Sequence, residues 1–198
     1  SLSVRSSELN SPAGGAVLLG VIVEAAAGAS LAPNIPLLEG YTAIASGAAN
    51  GRAFALFRVD QTGLDLLKIS GSGAGGYSIR VFVAGDVNRD SAVDGIDAQL
   101  LDDARRTGVY SLGADANLDG VLDVGDTQLL FANLGYLANQ APTGTPTTLK
   151  THVDLELQNT VDQIVSDPEN DGLTVRVTGA THGTATIGGD GRTLMFMP

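Results

Sequence analysis

Apolar residues along the first 84 positions come in short runs, at 16–23, 53–59, 64–69 and 77–83, separated by Gly- or Asn-rich stretches. Runs of this length, rich in Val, Ile and Phe and bounded by turn formers, predict β-strands. Short strands at that spacing, about seven in all, predict an antiparallel sandwich of Ig-like size over residues 1–84. The period changes further on. Leu100, Leu101 and Ala104 fall on one helical face, as do Leu129, Leu130 and Leu134 before Gly135 stops the second helix. Each helix follows a polar loop, and the segment leading into the first loop, 77–84, alternates as a strand. A Pro/Thr/Gly linker occupies 139–147. Strand patterns return at 151–157, 173–177, 183–187 and 193–196, the last two flanking a Gly188-Gly189-Asp190-Gly191 hairpin turn. The expected fold is multidomain and mainly β. Two Ig-like β-sandwiches, at 1–84 and 148–198, flank a small α-helical double loop-helix domain at 85–138.

Within that middle domain one polar ladder is written twice. Asp86, Asn88, Asp90, Asp94 and Asp97 recur as Asp115, Asn117, Asp119, Asp123 and Asp126, a constant offset of 29 (115 − 86). A hard cation such as Ca²⁺ takes six to eight oxygens, and a twelve-residue loop delivers them from positions 1, 3, 5, 7, 9 and 12. In the first loop the ligands would be Asp86, Asn88, Asp90, the Ala92 carbonyl, Asp94 and Asp97. In the second they would be Asp115, Asn117, Asp119, the Val121 carbonyl, Asp123 and Asp126. Asp and Asn also favour turns for local hydrogen-bonding reasons, but such preferences do not call for the same five offsets twice. Two Ca²⁺ ions are therefore expected. Apolar Val93 and Leu122 at position 8 suggest that the loops pair through short extended segments there. Position 6 is Ser91 in the first loop and Gly120 in the second, so a turn needing positive φ would make the first site the weaker one.

The duplicated loop-helix beginning Gly85-Asp86-Val87-Asn88 and closing on Asp97 and Asp126 resembles a type I dockerin over residues 84–137. The resemblance implies a calcium-bound loop-helix pair and a cohesin-like sandwich as partner, with Phe131, Leu112 and Tyr110 as apolar contacts. Cohesin-docking dockerins commonly carry a Ser/Thr pair at positions 10 and 11, where this chain has Gly95-Ile96 and Val124-Gly125. Residues 139–198 resemble the cadherin-like and Ig-like repeats of bacterial surface adhesins, through Asn139-Gln140-Ala141-Pro142, the Asp167-Pro168-Glu169-Asn170-Asp171 stretch and Thr181-His182-Gly183-Thr184. That likeness implies Asp167, Glu169 and Asp171 as weaker candidates for an inter-repeat Ca²⁺. Such repeats continue past the equivalent of Met195-Phe196-Met197-Pro198 with a last strand. Either the chain is an excerpt that ends at an arbitrary point or the sheet takes its last strand from another subunit by strand addition.

Charge supports a cation and disfavours other partners. The net charge is −11, and residues 86–126 hold 10 Asp against 3 Arg, or −7 of that total. Such acidity argues against nucleic acid or an anionic membrane surface. Cysteine is absent, which removes disulfides and thiolate metal sites. The apolar stretch at 16–27 is interrupted by Glu24 and too short to span a bilayer. His152 and His182 lie 30 apart without Cys partners, and Glu8, Glu24 and Glu39 are scattered, so no catalytic constellation is expected. A start at Ser1 suggests an excerpt of a larger precursor. The expectation is a non-enzymatic, calcium-binding extracellular module of a bacterial cell surface, joined to neighbouring β-sandwiches, with a protein-recruiting dockerin as the alternative.

Overall fold

In the computed structural model, which describes residues 1–10, 12, 14–170 and 172–198, the chain divides into two units, Ser1–Ala138 and Asn139–Pro198. The first unit begins with β1 (Leu2–Val4) and a one-turn helix α1 (Ser6–Asn10). It continues through β2 (Val17–Ala25), β3 (Ala32–Pro33), β4 (Leu37–Leu38), β5 (Ala43–Ala49), β6 (Arg52–Val59), β7 (Gly63–Asp65), β8 (Leu67–Lys68), β9 (Gly71–Ser72) and β10 (Tyr77–Val83). Two longer helices follow, α2 (Gly95–Thr107) and α3 (Val124–Ala132). The main sheet is antiparallel in the order β10-β2-β6-β5, and the remaining strands form the two-stranded ribbons β1-β7, β3-β9 and β4-β8. The single run expected at 64–69 is split between two ribbons, because its first half pairs with β1 and its second with β4.

β2 reads as a continuous apolar run because both of its faces are covered. Val17, Leu19 and Val21 share one core with Phe57 and Val59, roofed by Val4 of β1 and Leu38 of β4. Leu18 and Leu56, on the opposite face, meet Ala84 and Ala116. Burial of each such Val, Leu or Phe contributes about 1.5–3 kcal/mol. Gly20 is required where it stands, since a Cβ would overlap the ring of Phe82 on the neighbouring strand.

The loop-helix segment does not form a core of its own. Val93, Leu101, Ala114, Leu130 and Tyr136 belong to the same cluster as the sheet residues Val17, Leu19 and Phe57. Leu101 and Leu130 carry the expected helical faces inward, whereas Leu100 and Leu134 stay partly exposed. Asn133, fully buried at the C-terminal cap of α3, completes the attachment. Its Oδ1 accepts from the Leu18 N–H at 2.8 Å, and its Nδ2 donates to the Leu18 carbonyl at 3.0 Å and to the Ala84 carbonyl at 2.7 Å. The side-chain amide thus acts as one rung of a β-ladder on β2, beyond the end of β10. Gly85 lets α3 approach, because a Cβ there would lie 2.6 Å from the Leu130 Cα.

The expected pairing of Val93 with Leu122 is not what the backbone makes. Val93 exchanges hydrogen bonds with the segment leaving α3: its N–H donates to the Tyr136 carbonyl and its carbonyl accepts from Gly135, each at 2.9 Å. Ala92 bridges Leu137 in the same antiparallel contact, and Ala138 N–H donates to the Ser91 carbonyl at 2.8 Å. The chain therefore leaves this unit hydrogen-bonded to the first loop.

The second unit contains β11 (Thr143–Gly144), β12 (Leu157–Thr160), a 3₁₀ turn at Val161–Gln163, β13 (Val165–Ser166), β14 (Thr184–Ile187) and β15 (Thr193–Met197). β15 runs between β12 and β14, so the last strand of the chain is paired on both sides. The strand expected at 151–157 begins only at Leu157, because 152–155 close a turn. Residues 173–177 keep an in-out alternation in exposure but have no ladder partner among the described residues, so they form no strand.

Replacing Asn133 by Ala should destabilise the first unit by about 2 kcal/mol or more, because the Leu18 N–H and the Ala84 carbonyl lose a buried partner while the Leu18 carbonyl keeps the Ala84 N–H. Chemical denaturation monitored by circular dichroism measures this, and a change below about 0.5 kcal/mol would remove Asn133 as the attachment point.

Candidate metal centre

The two acidic loops fold with one hydrogen-bond pattern. In the first, the Asp86 carboxylate accepts from Ser91 N–H (3.1 Å), Asn88 Oδ1 from Asp90 N–H (2.9 Å) and Asp90 Oδ1 from Ala92 N–H (3.0 Å). In the second, Asp115 accepts from Gly120 N–H (2.9 Å), Asn117 Oδ1 from Asp119 N–H (3.0 Å) and Asp119 Oδ1 from Val121 N–H (2.8 Å). The closing residues match as well. Asp97 accepts from Val87 and Asn88 through Oδ1 and from Asp94 through Oδ2, and Asp126 accepts from Ala116, Asn117 and Asp123 in the same way. Asp94 and Asp123 are the N-caps of α2 and α3, and each forms a capping box with the Asp three residues on. Positions 9 and 12 of each loop are thereby tied to a helix start.

Local hydrogen bonding explains the loop conformation but leaves negative charge inside the protein. Asp97 and Asp126 are 0% exposed and Asp115 1%. Among the described residues no Lys or Arg forms an ion pair with any of the three; Arg58, Lys68, Arg106 and Arg192 pair instead with Asp60, Glu39, Asp103 and Asp162. Asp86 adds a buried Oδ1 with no hydrogen-bond partner. Buried charge of this kind is normally matched by a counter-charge or a metal. Desolvation raises the Asp86 carboxyl above the usual range, opposed by N–H groups of Ser91 and Arg89 and reinforced by the charges of Asp97 and Asp90. Asp126 is raised by desolvation too, with the Asp115 charge adding to it. All these groups gain from a cation placed in the loops.

The donor set fits a hard cation: carboxylates, two amides and main-chain oxygens, without sulfur or imidazole. Asn88 and Asn117 would supply amide oxygens, and Ala92 and Val121 carbonyls. Among the described residues, no three His, Cys, Asp or Glu side chains are gathered into a cluster able to hold a metal by themselves. Asp90, Asp94, Asp119 and Asp123 are exposed.

The loops differ in two places. Position 6 has positive φ in both, 73° at Ser91 and 87° at Gly120, so the serine occupies a conformation that suits glycine. The second loop has an extra support, the Tyr110 hydroxyl donating to Asp115 Oδ2 at 2.7 Å. Desolvation first, and then this bond, push the Tyr110 pKa up to about 12. Nothing in the sequence pairs Tyr110 with Asp115. Asn133 is also silent there, except as a polar residue three after Leu130 on the inward face.

Of the weaker candidates in the second unit, Asp167 is half-buried, and Glu169 Oε2 accepts from Gln140 N–H at 3.0 Å while its Oε1 is buried without a partner. Asp171 lies outside the described residues. His152 and His182 are both exposed. No family model, curated protein or solved structure gives a significant match to this chain.

Replacing Ser91 by Gly should stabilise the first unit by up to about 1 kcal/mol, and Gly120→Ser should destabilise it by a similar amount. Thermal denaturation tests the pair, and equal melting points would show that the strain is absent. The Tyr110 phenol should ionise near pH 12 in ultraviolet titration, against about 10 for an unperturbed tyrosine. Because its folded pKa is raised, its contribution to stability is whole below about pH 10 and is lost as pH rises through about 12. Tyr110→Phe should flatten that alkaline loss.

Proposed function

We propose that the chain is a non-enzymatic, calcium-stabilised structural module of an extracellular bacterial surface protein, in which a dockerin-like double loop-helix forms a joint between Ig-like β-sandwiches. The observation that carries this reading is the burial of Asp97, Asp115 and Asp126 with no basic partner among the described residues. Calcium, when bound, supplies the positive charge that these carboxylates lack.

The protein's own residues do the rest. Asp86, Asn88, Asp90, Asp94 and Asp97, with Ala92, would hold one ion; Asp115, Asn117, Asp119, Asp123 and Asp126, with Val121, would hold the other. Asp97 and Asp126 each bind N–H groups from both ends of their own loop, so neutralising them ties loop closure to the start of a helix. Asn133 ties the end of α3 to β2. The hydrogen bonds of Val93 and Ser91 to residues 135–138 tie the outgoing chain to the first loop. Without a cation, carboxylate repulsion loosens that loop and frees the direction in which residue 139 is launched. An Ig-like arrangement for residues 1–84 is favoured by the second layer that β1 and β4 lay over the sheet core.

A protein-recruiting role is the second reading, favoured by Phe131 and Tyr110, which are 55% and 50% exposed, with Leu112 half-buried between the helices in sequence. A pulldown with the intact chain that retains no β-sandwich partner would count against it.

Small-angle scattering with calcium and with chelator tests the joint. A narrower spread of dimensions and a shorter maximum dimension are expected with calcium; superimposable curves would sink the idea.

A further inference from the structure

A cleft of about 250 Å³ opens between the main sheet and the two loops. Ile22, Phe82, Leu112 and Leu118 give it an apolar lining, and Arg80 and Arg89 bring two guanidinium groups to it. The Phe82 ring can lie there because Gly20 opposite it has no Cβ. Arg89 and Leu118 both stand at position 4 of their loops, with φ of 64° and 61°. The duplicated loops therefore present equivalent backbone positions to one cleft and differ in what they place there, an arginine and a leucine.

Among the described residues of this unit Arg52, Arg80, Arg89 and Arg105 have no ion pair, and two of these four line this one cleft. The charge is −11 overall, and Arg58, Lys68 and Arg106 of the same unit all have carboxylate partners. Among the described residues Arg80 and Arg89 have none. Asp86 also lines the cleft, so two guanidiniums and one carboxylate leave it positive before any metal is considered. A space of this size takes one or two side chains rather than a whole small-molecule ligand. Its complement is an acidic side chain beside a short apolar one.

Such a pair stands exposed in the second unit. Residues 152–155 form a turn closed by Leu155 N–H to the His152 carbonyl at 3.2 Å and by Thr151 Oγ1 to the Leu155 carbonyl at 2.8 Å. It displays Val153, 84% exposed, next to Asp154, which is held at φ 62° and has no ion-pair or hydrogen-bond partner among the described residues. We propose that this cleft is a self-recognition site that takes the Val153–Asp154 turn of a second copy of the chain, the carboxylate between Arg80 and Arg89 and the valine against Ile22, Phe82 and Leu118. The contact joins two different patches, so it is heterologous and runs head to tail. Asp86, Arg89 and Ser91 of the first loop form part of the cleft wall, so the site rests on the calcium-ordered loop proposed above and is tested in calcium buffer.

The test is a dilution series on the intact chain from about 20 μM to about 1 mM, followed by sedimentation and amide NMR. Three proteins are compared in calcium buffer: wild type, Arg80→Ala with Arg89→Ala, and Val153→Ser with Asp154→Asn. Unchanged circular dichroism confirms that each is folded. Wild type should associate, with shifts at Ile22, Phe82 and Leu118. Each variant alone should associate at least about tenfold more weakly. Mixing the two variants should restore a one-to-one complex, since one keeps the turn and the other the cleft. A wild type that stays monomeric throughout, or association equally strong in all three proteins, would overturn the proposal.

Discussion

Carboxylates that sit inside the protein with no ion-paired Lys or Arg among the described residues are the constraint on which the rest of the structure turns. Asp97, Asp115 and Asp126 are enclosed by backbone N–H groups, which satisfy their hydrogen bonding without supplying a full positive charge. Removing an ion from water costs several kcal/mol even after relaxation, and N–H donors recover only part of that cost. Metal-free and metal-loaded states should therefore differ in stability. The energy at stake falls on the residues that close the loops and cap the helices.

That local balance reaches the sheet because the loops and the sheet have no separate interiors. Leu130 and Leu101 complete a core that Val17, Leu19 and Phe57 begin, and Asn133 bridges the Leu18 N–H and the Ala84 carbonyl beside the Ala84–Leu18 backbone bond. Loosening either helix exposes part of the sheet, and loosening the first loop releases residues 135–138. Free energy gained by a cation bound in the loops, as proposed, would in this way be available to the whole unit from Ser1 to Ala138.

Much of this was legible in the residues. The apolar runs that became β2, β6 and β10 are long, β-rich and bounded by turns, and both helices begin at the Asp residues whose spacing marks the loops. The run at 64–69 broke because its two halves found different partners, which periodicity cannot reveal. At 151–157 a period-2 pattern lost to a local turn, and at 173–177 it persisted without a neighbouring strand to pair with. Long-range attachments were the hidden part. Asn133 reaches Leu18 across 115 positions, and Val93 pairs with residues after α3 where loop symmetry suggested Leu122. The repeated loop conformation was readable because the spacing of its Asp and Asn residues is local, whereas the lack of a basic partner for the buried carboxylates among the described residues depends on the whole surrounding fold.

Isothermal calorimetry of calcium binding to the wild-type chain and to the double variant Asp97→Ala, Asp126→Ala addresses the buried carboxylates most directly. Uptake of two ions by the wild type, accompanied by a rise in helix content and abolished in the variant, is the expected result. A chain that takes up no calcium, or a variant that binds it as the wild type does, would contradict the assignment of these carboxylates to a cation.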